Sequence, residues 1–153
     1  MNEIQYITWD ELMYVYGKTV EDSGGGFAGL RDKERIESVL DWIQNDLYYP
    51  TFDSKLTFLV SRICMGHLFS DGNKRMSLTL GVYFLHKNGY YWAATTFMTH
   101  MAAIIMHVAA GNIDEDMLGR IIPHVIKGED FPEDLQLEMA EAMSKNALFN
   151  END

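Results

Sequence analysis

The sequence predicts an all-α fold, a compact bundle of about six helices around one buried helix with a short β-hairpin-like flap. Three observations carry this. Apolar residues recur at helical spacing in segment after segment. Capping residues and glycines separate those segments. The one aromatic stretch that reads as extended is short and interrupted by a proline.

The elements follow in order. Thr8, with Glu11 in capping-box position, opens a helix to about Tyr16 whose Leu12, Val15 and Tyr16 share a face. Gly24, Gly25, Gly26 and Gly29 make the next stretch a flexible loop, and no Gly-Lys-Ser/Thr follows to make it a P-loop. A helix over about 32–46 carries Ile36, Val39, Leu40 and Ile43. Leu47 to Phe52, broken by Pro50, reads as a small hairpin or edge, its aromatic residues either core or a docking surface. Asp53 or Ser54 opens a helix to about His67. The segment 72–87 is apolar nearly all round, as expected of a buried central helix, and Asn88-Gly89 ends it. Helices over about 95–110, 113–126 and 132–145 complete the chain. The expected organisation is a domain over 1–127 and an acidic helical extension over 128–153, the latter holding eight acids and one base.

Composition excludes several classes. With 153 residues, 47% of them apolar, the chain can bury a real core. Twenty-three acidic against 12 basic residues give a net charge of −11, which disfavours a nucleic-acid partner. Cys64 is alone, so no internal disulfide and no multi-cysteine zinc site forms. That suits a reducing cytoplasm. No apolar run is long enough to span a membrane, and the N-terminal residues lack the pattern of a signal peptide. His100 and His107 lie seven apart with no third ligand in view, so packing or surface exposure is the expected role. The methionines read as core filler and Cys64 as a buried thiol.

Reactive side chains concentrate in His67-Leu68-Phe69-Ser70-Asp71-Gly72-Asn73-Lys74-Arg75. Gly72 lets a ligand approach the backbone. The start of the following helix offers N–H groups and the positive end of a dipole. Lys74 and Arg75 add full charges there, although cations at a helix start oppose that dipole, a conflict an anionic ligand would relieve. Asp71 suits Mg²⁺, which prefers a carboxylate plus phosphate oxygens. His67 supplies a base near neutral pH. Together these are the parts of a phosphoryl- or nucleotidyl-transfer site. The plainer alternative is an Asp-Gly-Asn turn with Asp71 capping the next helix.

This segment resembles the core motif of the Fic/Doc family, His-x-Phe-x-Asp/Asn-Gly/Ala-Asn-Gly/Lys-Arg. The resemblance extends to Gly29-Leu30-Arg31-Asp32 and Ile36-Glu37-Ser38, and covers about residues 5–127. It implies a Fic fold and an enzyme that moves part of ATP, with Mg²⁺, onto a target protein's hydroxyl. By position, His67 resembles the general base, Phe69 the loop anchor and Asp71 the metal ligand. Gly72, Asn73, Lys74 and Arg75 resemble the phosphate-binding set. Tyr48, Tyr49, Thr51 and Phe52 fall where the family has its target-docking flap.

Two departures point to a branch. AMP-transferring members usually have Gly where this chain has Lys74, and a second Arg where it has Leu78. Both changes, and Leu68, resemble the Doc-type toxins, which transfer the terminal phosphate. The resemblance therefore favours a protein kinase reaction over AMP transfer. It implies a target in the translation machinery and an antitoxin on a separate chain, and leaves a homodimer open. A catalytically silent partner-binding module on the same scaffold is the reading from another class. The acidic extension either packs on the domain or competes with nucleotide for Lys74 and Arg75.

Overall fold

The computed structural model describes residues 3–22 and 29–145. The glycine run at 24–26 lies outside them, as does the end of the acidic tail. The described residues form α1 (Trp9–Asp22), α2 (Lys33–Trp42), α3 (Phe52–Met65), α4 (Asn73–Lys87), α5 (Tyr91–Ala109), α6 (Glu115–Lys127) and α7 (Glu133–Met143). No strand occurs among them, and β-type pairing is confined to an isolated antiparallel bridge between Leu30 and Phe69. The all-α prediction holds.

Local chemistry sets the helix starts. The Thr8 N–H donates to Glu11 Oε1 at 2.9 Å while the Glu11 N–H donates to Thr8 Oγ1 at 3.2 Å, a reciprocal capping box. Asp32 caps α2 by accepting from the Arg35 N–H at 3.0 Å. Thr51 and Ser54 form the same kind of box at the head of α3.

α4 occupies the middle, against α3 and α5 along its length, with α1 across it. The backbones approach closely at Gly81, where a Cβ would stand 2.7 Å from Phe97 Cε2 and 3.3 Å from Val60 Cγ2. The expectation that α4 is buried all round needs correction. Met76, Leu80, Phe84 and Leu85 are buried, Leu78, Val82 and Tyr83 half-buried, and Arg75 and His86 exposed. The open side borders a groove.

α1 is fastened to α4 by a charged cluster. Glu11 Oε2 accepts from the Tyr83 hydroxyl and from Lys87 Nζ, both at 2.6 Å. Burial pushes the Glu11 carboxyl up, but the hydrogen bonds from Lys87, Tyr83 and the Thr8 N–H outweigh it and hold the pKa at about 2. The hydrogen bond to Glu11, and then burial, push the Tyr83 hydroxyl up to about 12. Because Glu11 is more acidic in the folded state, its contribution is complete above the ordinary carboxylate range and fades as pH falls towards 2. Glu11→Gln is therefore expected to cost about 2 kcal/mol at neutral pH, a charge-assisted hydrogen-bond magnitude. Urea unfolding of parent and variant should converge as pH falls from about 5 to about 2; a constant gap across that range would contradict the assignment.

The predicted hairpin is absent. α2 ends at Trp42, short of the expected boundary, and the chain turns instead of extending. Asn45 Oδ1 accepts from the Leu47 and Tyr48 N–H groups at 2.9 and 3.1 Å, and the Asn45 carbonyl accepts from Tyr49 N–H at 2.9 Å. These bonds use the donors that a hairpin ladder would need. Lys55 pins the same turn. Its side chain is fully buried, and Nζ donates to the Ile43 carbonyl and to Asp46 Oδ1, both at 2.8 Å.

α7, the helix of the acidic extension, contributes Leu135, Met139 and Ala142 to the same core as α1–α6. Arg120 of α6 pairs with Glu138 and Asp134. Its apolar stripe is thus spent on packing. Gly128 makes the turn out of α6 with φ 68°, and Trp92 covers it so closely that a Cβ would lie 2.5 Å from Cη2. Among the described residues no helix is long and apolar enough to cross a membrane.

Candidate active site

The loop from Gly66 to Gly72 joins α3 to α4 and is held from both sides. At its start, the Gly66 N–H donates to the Arg62 carbonyl at 2.9 Å, closing α3. A Cβ at Gly66 would lie 2.6 Å from that carbonyl oxygen and 3.0 Å from Leu68 Cγ, so glycine permits the turn. Leu68 and Phe69 are buried. The Leu68 carbonyl accepts from the N–H groups of Arg31 and Asp32 at 2.9 and 3.2 Å, and Ser70 N–H donates to the Gly29 carbonyl at 3.1 Å. Residues 29–32 thus run antiparallel beside the loop, which gives a physical reason for the Gly29-Leu30-Arg31-Asp32 segment.

Asn73, at the first turn of α4, closes the loop from the other end. It is 2% exposed. Its Oδ1 accepts from the Phe69 N–H and its Nδ2 donates to the Phe69 carbonyl, both at 3.1 Å. Both ends of the amide are engaged by the loop. The side chain expected among the phosphate-binding set therefore clamps the Phe69 backbone. Phe69 itself is fully buried and stacks on Tyr16 at 5.1 Å. Tyr16, which the sequence presented only as core, touches the motif loop through this ring pair. Its hydroxyl accepts from the Gly29 N–H at 2.7 Å, tying the flanking segment to the anchor. Burial, and then the Asp71 charge, push that hydroxyl's pKa up.

His67 stands exposed on this framework with φ 51°, and it is the only non-glycine with positive φ among the described residues. A left-handed backbone costs a non-glycine residue on the order of 1 kcal/mol and persists where the surroundings fix it. The pinned neighbours Gly66 and Leu68 do so here. Asp71 is exposed too, and its Oδ1 accepts from the Gly72 N–H at 2.8 Å. It does not cap α4: Gly72 is the N-cap residue, left-handed at φ 76°, with no side-chain cap.

The loop separates two grooves. One, of about 820 Å³, has Asp71, Gly72, Lys74 and Arg75 in its wall, opposite residues of α1 and α5. Leu78, one turn along α4, adds apolar surface to it. No residue of α7 is among its described lining residues, so the packed part of the acidic extension does not reach Lys74 and Arg75 there. The other groove, of about 630 Å³, lies between α2, the 45–49 turn and α3, and reaches the loop at Gly66 and Leu68. Along the chain, His67 is flanked by Gly66 and Leu68 of the smaller groove and precedes Asp71 of the larger one by four residues.

The expected flap residues part company. Tyr48 is exposed, and Tyr49 is half-buried, its ring 4.3 Å from that of Phe58; both line the second groove. Thr51 is spent on capping α3. Phe52 is buried between Phe84 and Tyr90, stacked at 4.9 and 4.4 Å, so it is core and not a docking residue.

Asp71 is a single exposed carboxylate that lines the larger groove together with Lys74 and Arg75. No group of three metal-ligating side chains occurs among the described residues, so a resident transition-metal site is not formed by them. His107 is buried, with Nδ1 3.2 Å from Asn112 Nδ2, and His100 is exposed, in keeping with packing and surface roles.

Comparison with known proteins agrees with this geometry. The family model described as the Fic/DOC family matches residues 6–85, which include α1–α3, the motif loop and most of α4. "Protein kinase doc" of Escherichia phage P1 is 30% identical over 90 residues, covering 56% of this chain and 70% of that protein. With a buried phenylalanine anchor, an exposed histidine and an Asp-Gly-Asn-Lys-Arg helix start on one pinned loop, the chain belongs to the Fic/Doc family.

Proposed function

We propose that the protein transfers the terminal phosphoryl group of ATP to a Ser, Thr or Tyr hydroxyl of a target protein, as a Doc-like toxin of a toxin–antitoxin pair acting in the cytoplasm. The observation that carries this is one loop, bearing the exposed His67, that lines a groove with the flap residues through Gly66 and Leu68 and a second groove with Lys74 and Arg75 through Asp71 and Gly72. The relative named as a protein kinase supports phosphoryl over AMP transfer. So does Lys74, which puts a second cation beside Arg75, while apolar Leu78 follows one turn on.

In this reading the nucleotide lies in the larger groove with its phosphates at the α4 N-terminus, where the helix dipole, Lys74 and Arg75 stabilise negative charge. Gly72, lacking a side chain, leaves the backbone open to the phosphates. Asp71 would hold Mg²⁺, which when bound supplies charge neutralisation at the phosphate oxygens. The target segment lies in the smaller groove beside Tyr48 and Tyr49 and presents its hydroxyl to His67. The imidazole takes the hydroxyl proton as the oxygen bonds to the terminal phosphorus, and the bond from that phosphorus to the bridging oxygen breaks, leaving ADP. Asn73 and Phe69 act by holding the loop.

Incubation with a bacterial lysate, Mg²⁺ and ATP labelled at the γ or the α phosphate tests the reading. Label from the γ position should reach protein. Label from the α position would assign AMP transfer, and no label in either case would favour a silent partner-binding module. Asp71→Ala should weaken nucleotide binding in Mg²⁺ about tenfold or more, while its unfolding midpoint in chelator stays within about 2 °C of the parent, because the side chain is exposed. Calorimetric titration with and without Mg²⁺ checks this; a parent that binds nucleotide equally well in both would remove the metal from Asp71.

A further inference from the structure

The smaller groove has a chemical character of its own. The chain carries a net charge of −11, yet the charged side chains among the described residues lining this groove are Arg35 and Arg62, both cationic. Arg35 is exposed on α2. Arg62 lies over the Phe58 ring at 5.2 Å, with Nε 3.3 Å from Glu115 Oε1, so its charge is offset in part and its orientation is fixed. Exposed rings line the same groove. Trp42 is 48% and Tyr48 62% exposed, packed edge to face at 5.6 Å. Trp, Tyr and Arg are the side chains that most often carry binding energy at interfaces.

The shape and the charge limit the occupant. A groove of about 630 Å³ takes a short peptide segment. Two cations on so acidic a protein are too few to track a phosphate backbone. A carboxylate, by contrast, matches a guanidinium fork at short range. We propose that this groove selects target segments that carry an acidic residue next to an aromatic or aliphatic one, the carboxylate meeting Arg35 and Arg62 and the apolar side chain packing on Trp42 and Tyr48. The inference rests on the groove being the target's seat, as read above, and names the class of segment it accepts.

Tryptophan emission of the full chain reports on it directly, without nucleotide. The probes are two capped peptides, Asp-Glu-Phe-Ser-Gly and Lys-Lys-Phe-Ser-Gly. The acidic peptide should bind about tenfold more tightly at low salt, and the difference should shrink as salt rises. Trp42→Phe should remove the emission change. R35E combined with R62E should invert the preference, and R35A alone should reduce it; both positions are exposed. Equal binding of the two peptides, no binding of either, or an unchanged preference in the reversed variant would overturn the proposal. Adding γ-labelled ATP and Mg²⁺ separates the two readings. Labelling of peptide serine without charge preference sinks the proposal and keeps the transferase. A charge preference in binding with no label in any peptide or lysate protein keeps the proposal and sinks the transferase.

Discussion

His67→Gly should abolish transfer to protein while leaving the fold as stable as the parent's. A hydroxyl is a poor nucleophile until a positioned base takes its proton, and loss of such a base costs on the order of 10²–10⁴ in rate. The stability side of this expectation comes from the backbone. His67 is held at φ 51°, a conformation that disfavours a side chain and suits glycine. Glycine relieves that strain and adds conformational freedom to the unfolded chain, and the two effects are each of order 1 kcal/mol and opposite in sign. The unfolding midpoint should therefore stay within a few degrees of the parent's. His67→Ala keeps the strain and should be equally inactive. Nucleotide affinity should be little changed in both, because the proposed function places the phosphates at the α4 N-terminus and its cations. Full transfer activity in either variant would move the base to another group. A lowered midpoint in the glycine variant would mean that the imidazole holds the loop as well.

Much of this site was legible in the sequence because short-range chemistry specifies it. Thr8 and Glu11 form their capping box from residues three apart, and the Asp71-Gly72 turn needs no distant partner. The apolar periods placed all the helices, since each buries one face in a common core. What the sequence concealed depends on partners far along the chain. Tyr16 looks like any aromatic on an amphipathic helix, and its hydroxyl matters only because Gly29 comes to it. Residues 47–52 looked extended because of their aromatic rings and Pro50. Asn45 and the buried Lys55 fold them into a turn. Phe52 resembled a flap residue until α3 began one residue earlier than expected and carried it into the core. Asn73 is the most instructive difference. In sequence it stands among cations and a glycine, which suggests a ligand. In the structure its amide turns inward.

Asn73→Ala should therefore act first on stability. Removing the amide leaves the Phe69 N–H and carbonyl without the partners that satisfy them in a buried place. An unsatisfied buried polar group costs about 1–3 kcal/mol, so a loss of about 2–4 kcal/mol is expected, with the midpoint lowered by about 5–15 °C. Transfer should be lost along with it, since Phe69 anchors the loop that presents His67 and Asp71. Asn73→Asp separates the two hydrogen bonds. Its carboxylate still accepts from the Phe69 N–H, but it faces the Phe69 carbonyl with a second acceptor and no proton. That variant should be destabilised at neutral pH and should regain stability as pH falls towards about 5, because a protonated carboxyl restores the missing donor. The sign follows from linkage: burial and the opposing carbonyl favour the neutral acid and raise its folded pKa, so stability is gained below that pKa and lost above it. Unfolding midpoints of the parent, Asn73→Ala and Asn73→Asp across this pH range provide the measurement. If Asn73→Ala unfolds with the parent's midpoint yet fails to bind nucleotide, the side chain serves the ligand and the clamp is incidental. If it unfolds early and the aspartate variant recovers in acid, the buried amide is what holds the loop that carries His67.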